Sequence, residues 1–310
     1  MAWSISAAGL ILLAAGYAAA ERGSACLAAR AGEKGIFRAF LLLAAPAALL
    51  VMAVVLSGAA ADSAGSVAFA SVCCVILFCL CGGAGRVVTA SPVPVRERAR
   101  DAVPAGAVLL YLCIRGSGTL TDSSRTAVLT TADGVVLLAA AAASLILLAA
   151  TGASGYPDPR GGKQLLPVLP AMLVLCAGFA ALSAGWVLLH EGSFLGSAFS
   201  PAAFGVLFAA AAAAVLLPGI IAGARKGNGT VGAAQKTAAA LAAEAGIGIH
   251  AILSGVQLTR STVWVLAAGA ACVWLDFLLP AEKKRAVRVC GAVEVLAGTA
   301  AVLFVILKAA

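Results

Sequence analysis

Ten apolar stretches, at 3–20, 36–60, 65–85, 102–118, 129–151, 165–189, 197–222, 233–257, 261–279 and 287–307, follow one another along the chain with only short gaps between them. A bilayer core is crossed by about 20 helical residues, so each stretch has the length of one span. Backbone polar groups inside hydrocarbon must be satisfied within each segment. Helices do that; β-barrel strands would be half as long and would alternate polar with apolar. The expected fold class is therefore all-α: a polytopic membrane bundle of ten transmembrane helices.

The basic residues give the bundle an orientation. Of 21 Lys and Arg, 17 fall in alternate gaps: Arg22, Arg30, Lys34, Arg38; Arg86, Arg96, Arg98, Arg100; Arg160, Lys163; Arg225, Lys226, Lys236; and Lys283, Lys284, Arg285, Arg288. Cytoplasmic loops collect Lys and Arg, which puts these five gaps inside and both termini outside in a multi-pass protein of the cell membrane. The fourth stretch is the weakest, with Pro104 at its start and Arg115 near its end. Removing it would invert the downstream alternation, so it is kept. The first stretch has no basic residue ahead of it and reads as a span rather than a cleaved signal.

At 63% hydrophobic and 11% charged, the composition leaves no soluble domain to account for. The net charge of +8 sits in inter-helix loops without interleaved aromatics, which excludes nucleic acid as a partner and points to anionic lipid head groups. No constellation suggests an enzyme or a cofactor. Nine cysteines, Cys26, Cys73, Cys74, Cys79, Cys81, Cys113, Cys176, Cys272 and Cys290, lie mostly in apolar stretches, with no Cys-x-x-Cys and no flanking His. They read as small hydrophobes; Cys73-Cys74 and Cys79/Cys81 lack recognisable geometry for a soft metal such as copper(I).

An internal repeat emerges from the spans. Gly16-Tyr17-Ala18-Ala19-Ala20-Glu21-Arg22-Gly23-Ser24 closes the first, and Gly185-Trp186-Val187-Leu188-Leu189-His190-Glu191-Gly192-Ser193 closes the sixth. A second echo opens the fifth and tenth, as Thr131-Ala132-Asp133-Gly134 and Arg288-Val289-Cys290-Gly291. Two halves follow, 1–155 and 156–310, within one membrane domain. Five spans each is an odd number, so the halves enter the membrane with opposite polarity, the inverted repeat of many secondary transporters.

With these motifs in order, the chain resembles the cation/calcium exchanger superfamily of membrane antiporters. The resemblance is carried by the Gly…Gly-Ser endings followed by Ala25-Cys26-Leu27-Ala28-Ala29-Arg30, by Arg100-Asp101-Ala102-Val103-Pro104 and Ala132-Asp133-Gly134, by Ser200-Pro201, and by Arg225-Lys226-Gly227-Asn228-Gly229. It implies a ten-helix inverted-repeat transporter. It also implies glutamates in spans two and seven and oxygen ligands in spans three and eight, and there the chain departs. Spans two and seven read Ala47-Ala48-Leu49-Leu50-Val51-Met52 and Ala212-Ala213-Ala214-Val215-Leu216-Leu217. Spans three and eight read Ala70-Ser71-Val72-Cys73-Cys74-Val75-Ile76 and Ala234-Gln235-Lys236-Thr237-Ala238-Ala239-Ala240. Calcium takes six to eight oxygens, so a high-affinity calcium site is not expected here.

Glu244 is the candidate that remains. It sits near the middle of span eight, where an ionised side chain costs about 2.5–3.5 kcal/mol on insertion scales, and reads as the one acid so placed. Such a carboxyl either exchanges protons or compensates a cation. Ser71, Thr237 and the Pro218-Gly219 break in span seven complete the expected ion or proton pathway; a helical Ser also bonds its own backbone one turn back. His250, six residues on, is about 240° round the helix from Glu244 and reads as structural. Asp133, Asp276 and Glu294, near span ends, are expected to be solvated or to pair with loops. The function expected is a secondary transporter moving a small cation or proton by alternating access. A transport-inactive relative serving as a partner subunit, and a drug/metabolite-type ten-helix exporter with its N-terminus inside, are the alternatives.

Overall fold

The computed structural model describes residues 2–30, 45–56, 63–90, 95–122, 124–152, 166–192, 213–214, 216–217, 221, 229–279 and 283–309. They form helices α1 (Ala2–Arg30), α2 (Ala45–Leu56) and α3 (Ser63–Cys74), which continues through a π-helical segment (Val75–Gly82) into α4 (Gly83–Thr89). Next come α5 (Val95–Gly116), the short α6 (Gly118–Thr121), β1 (Ala127–Leu129), α7 (Thr131–Gly152) and α8 (Val168–Gly192). The chain then adds α9 (Gly229–Leu253), β2 (Val256–Leu258), α10 (Arg260–Leu278) and α11 (Lys284–Ala309).

Seven of these rods are long and apolar enough to cross a membrane: those at 4–28, 66–89, 131–150, 168–188, 235–253, 260–278 and 284–305. Each coincides with an expected span, and the molecule is a multi-pass membrane protein. Helix α5 fills the fourth position but begins at Val95, seven residues before the expected edge at 102. Its Arg-rich first turns are helical because Arg98 and Asp101 are buried against neighbouring rods rather than solvated.

Burial sorts the rods into centre and rim. The α3–α4 rod and α9 are 83% and 78% buried, whereas α1, α8 and α11 are each 28% buried. Rim helices turn Ile11, Leu169, Leu173 and Leu296 outward, a surface that water would not tolerate and lipid does. The central rod ends at Ala90, whose left-handed backbone (φ 49°) lets its N–H close onto the Arg86 carbonyl.

Glycines set the closest approaches. A Cβ at Gly16 would lie 2.7 Å from Leu182 N and 2.8 Å from Gly178 O; one at Gly185 would lie 2.9 Å from Leu13 N and 2.7 Å from Gly9 O. The contacts are reciprocal, since 185 − 16, 182 − 13 and 178 − 9 all equal 169. Gly134 of α7 meets Gly248 O at 2.6 Å and the Ile252 side chain on α9, while Gly291 of α11 meets Gly83 O at 2.7 Å and the Val87 side chain on α4. Without a hydrophobic drive between helices in lipid, such small-residue crossings hold the rods together. Gly178→Leu is therefore expected to lower stability by about 1–3 kcal/mol, read as a lower Tm in detergent. Gly118→Leu, with nothing within 4 Å of its added Cβ, is the matched control.

The connections after α6 and α9 pair as a two-stranded antiparallel ribbon, with Ala127 opposite Leu258 and Leu129 opposite Val256. It ties the two connections together at the end of the bundle where Asp133 gathers Tyr111, Arg115 and Thr130 (2.6, 2.9 and 2.8 Å). Asp133 thus takes the loop-pairing role expected of it.

Candidate functional site

The two central rods face each other at Cys74 and Glu244. Glu244 lies midway along the apolar stretch 235–253 and is fully buried. The thiol of Cys74, also fully buried, donates to its Oε1 at 3.7 Å. Its Oε2 has no hydrogen-bond partner among the described residues.

A second polar cluster lies about 12 Å along α9, eight residues toward its N-terminus. Lys236 Nζ bonds Asp276 Oδ2 at 3.1 Å and sits 4.6 Å above the Phe78 ring. Arg86 reaches Asp276 Oδ1 at 2.9 Å, its backbone carbonyl at 3.1 Å, and the Glu294 carboxylate. Arg98 caps the end of α10 through the carbonyls of Phe277 (3.1 Å) and Leu279. Arg100 pairs with Asp101 at 2.9 Å, and Thr237 Oγ1 donates to the Asp101 carbonyl at 3.0 Å.

Several sequence expectations change at this cluster. Asp276 and Glu294 are not solvated; they are 2% and 0% exposed, and Glu294 shares with Glu244 the deep burial expected of Glu244 alone. Lys236, counted among loop cations, lies inside α9 and is buried. The reason is the same for each. Residues from four helices converge, and the opposite charges satisfy one another where none alone could stay ionised. Patterns along a single helix do not show such convergence.

The other expected pathway residues divide. Ser71 donates back to the Val67 carbonyl at 3.0 Å, within its own helix, and its backbone packs against Gly269 of α10. Thr237 belongs to the charged cluster, seven residues from Glu244. Pro218 and Gly219 lie outside the described residues. His250, half-buried, lies one turn and a half beyond Glu244. All nine cysteines carry free thiols.

The arithmetic of charge separates the two clusters. Two cations, Arg86 and Lys236, face two acids, Asp276 and Glu294, with the buried Arg98 beside them on backbone carbonyls, so each carboxylate there has a cationic partner even though Glu294 Oε2 accepts no hydrogen bond among the described residues. Asp101 and Asp133 have Arg100 and Arg115. Among the described residues Glu244 is the buried carboxyl with no cationic partner. A single carboxyl beside a thiol lacks the hard oxygen shell that calcium requires.

No model of a known protein family matches the sequence, and no curated protein matches it. Solved structures do. The sodium-calcium exchanger NCX_Mj soaked with 10 mM Na+ and zero Ca2+ superposes with a TM-score of 0.65 at 18% identity, over 97% of this chain and 98% of that one. The same exchanger soaked with 100 mM Na+ and 10 mM Sr2+ gives 0.66 at 16% identity, over 97% of each chain. The H+/Ca2+ exchanger CAX gives 0.66 at 11% identity, over 99% of this chain and 86% of that one. The chain therefore has the fold of these two solved exchangers.

Proposed function

We propose that this protein is a secondary transporter that moves a small cation across the cell membrane by alternating access, with Glu244 as the charge-compensating or proton-accepting group. The observation that carries the reading is Glu244 itself: fully buried midway along the apolar stretch 235–253, with one oxygen unpartnered, in a fold whose similar solved proteins are named as sodium-calcium and H+/Ca2+ exchangers. A carboxyl without a cationic partner is costly inside an apolar bundle, and a cation or proton at Glu244 would offset that cost.

The architecture belongs to the same proposal. Ten spans fall into two five-helix halves, 1–155 and 156–310, related by a two-fold axis in the membrane plane. The constant offset of 169 at the α1–α8 crossing supports it. So does the exchange of partners between Gly134 on Gly248 and Gly291 on Gly83. Both termini lie outside and the basic loops meet anionic lipid on the cytoplasmic side. In that frame the Arg86/Lys236/Asp276/Glu294 cluster closes the cytoplasmic half of the bundle below Glu244.

The test is counterflow in sealed liposomes carrying the purified protein. Na+ and Ca2+ are offered in turn, with internal pH followed in parallel. Protein-dependent movement of at least one cation is the expected result. The absence of flux for Na+, Ca2+ and H+ alike would sink the transporter reading and favour a transport-inactive relative, for which Lys236 locked onto Asp276 is the structural argument.

A further inference from the structure

We infer that Lys236 is a tethered counter-ion: its ammonium fills, from within the chain, a monovalent-cation position between α9 and the central rod, and so makes that position independent of any dissolved ion. This goes beyond the reading of Glu244 and does not depend on it.

Charge comes first. Asp276 and Glu294 are both buried, and one guanidinium, that of Arg86, serves them both. Arg98 lies beside them, but it is engaged with the Phe277 and Leu279 carbonyls at the end of α10. Two acids on one arginine leave one positive charge to be supplied. Lys236 Nζ supplies it at Asp276 Oδ2, 3.1 Å away. A carboxylate without that charge is costly in such an interior, so the position is filled whenever the rods are packed.

The surroundings of the ammonium are those of a small dehydrated cation. Nζ meets the Asp276 carboxylate, the face of the Phe78 ring 4.6 Å from its centroid, and the backbone at Gly82. A Cβ added at Gly82 would stand 3.3 Å from Nζ and 3.3 Å from Asp276 Oδ1, so the end of the π-helical segment leaves room for the ion that a side chain would narrow. Lysine suits this role because its ammonium is a compact point charge on a flexible stem, whereas the arginine fork demands a planar partner.

The position lies on the same seam as Glu244. Along the contact of α9 with the α3–α4 rod, Cys74 meets Glu244; eight residues on along the rod and eight back along α9, Gly82 meets Lys236. Two carboxyl groups thus reach one seam, Glu244 without a cation and Asp276 with a cation built in.

The test is Tm in detergent with Na+ as the probe. All samples carry Glu244→Gln, which removes the other acid on the seam. Choline chloride is exchanged for NaCl at constant ionic strength, from sodium-free buffer to about 0.2 M Na+. With Lys236 in place, Tm is expected not to respond. Lys236→Ala empties the position; it is expected to melt lower in choline and to regain at least about 4 °C in Na+. Adding Asp276→Asn is expected to abolish that gain. An ion pair with a purely structural role would lower Tm equally in both salts. If Lys236→Ala does not fold, Lys236→Gln, whose amide still donates to Asp276, carries the test. A Lys236 variant indifferent to Na+, or the same response with Lys236 present, overturns the inference. Flux of the unaltered chain is read separately: a Na+ response in Lys236→Ala beside a parent that moves no cation keeps the tethered ion and removes the transporter reading, and the converse pair of results does the reverse.

Discussion

Glu244→Gln is expected to reduce protein-dependent cation flux in liposomes by at least about tenfold, down to vesicle leak, while the variant remains folded and monodisperse. Glutamine matches the size and hydrogen-bonding reach of the native side chain, so the Cys74 contact and the packing of α9 against the α3–α4 rod survive. It cannot carry negative charge. A cation arriving at mid-membrane would then meet no counter-charge, because Asp276, Glu294, Asp101 and Asp133 are already paired with Arg86, Lys236, Arg100 and Arg115. Glu244→Asp keeps the charge one methylene short and is expected to retain part of the flux. Full activity in Glu244→Gln would mean that the carboxyl is a packing residue.

The largest expected stability effect belongs to Arg86→Leu. The guanidinium bridges α4 to α10 and α11, and its loss leaves the Glu294 carboxyl fully buried without a cation. Breaking one side of a buried pair costs about 3–5 kcal/mol, which would appear as a large fall in Tm in detergent. Arg86→Leu combined with Glu294→Leu is expected to recover most of the loss, since an apolar pair of similar volume replaces a buried ion pair at little net cost. The coupling between the two single variants is the quantity to measure. Arg86→Leu unfolding no earlier than the parent would show that the cluster contributes nothing to stability.

Much of the fold is legible in the sequence because a bilayer leaves few choices for apolar stretches of this length. The rods at 66–89, 131–150, 168–188, 235–253, 260–278 and 284–305 fall where the hydropathy puts them. The Gly-aromatic echo marks a real crossing, since Gly16 and Gly185 are where α1 and α8 touch. Glu244 is legible for the same reason, because depth alone makes a carboxyl costly.

The charged cluster is not legible, and its residues show why. Asp276 lies two residues from the end of α10, Lys236 in the third turn of α9, and Arg86 one turn before the end of α4. Each reads as interfacial along its own helix, and only the packing of four rods brings them into one buried knot. Nor does the π-helical segment Val75–Gly82 announce itself, as it lacks the proline that commonly marks a helix irregularity. The ribbon of Ala127–Leu129 on Val256–Leu258 pairs three residues from each strand, too few for a period-two pattern to stand out.

The central claim is that the Glu244 carboxyl is where the transported cation sits. Modification by a membrane-permeant carbodiimide, located by mass spectrometry in the intact protein in lipid, addresses it directly, with Glu294 as the buried carboxyl already engaged by arginine. Labelling at Glu244 that falls as the transported cation is raised, with no such change at Glu294, is the expected result. Equal labelling of Glu244 with and without that cation would contradict the claim.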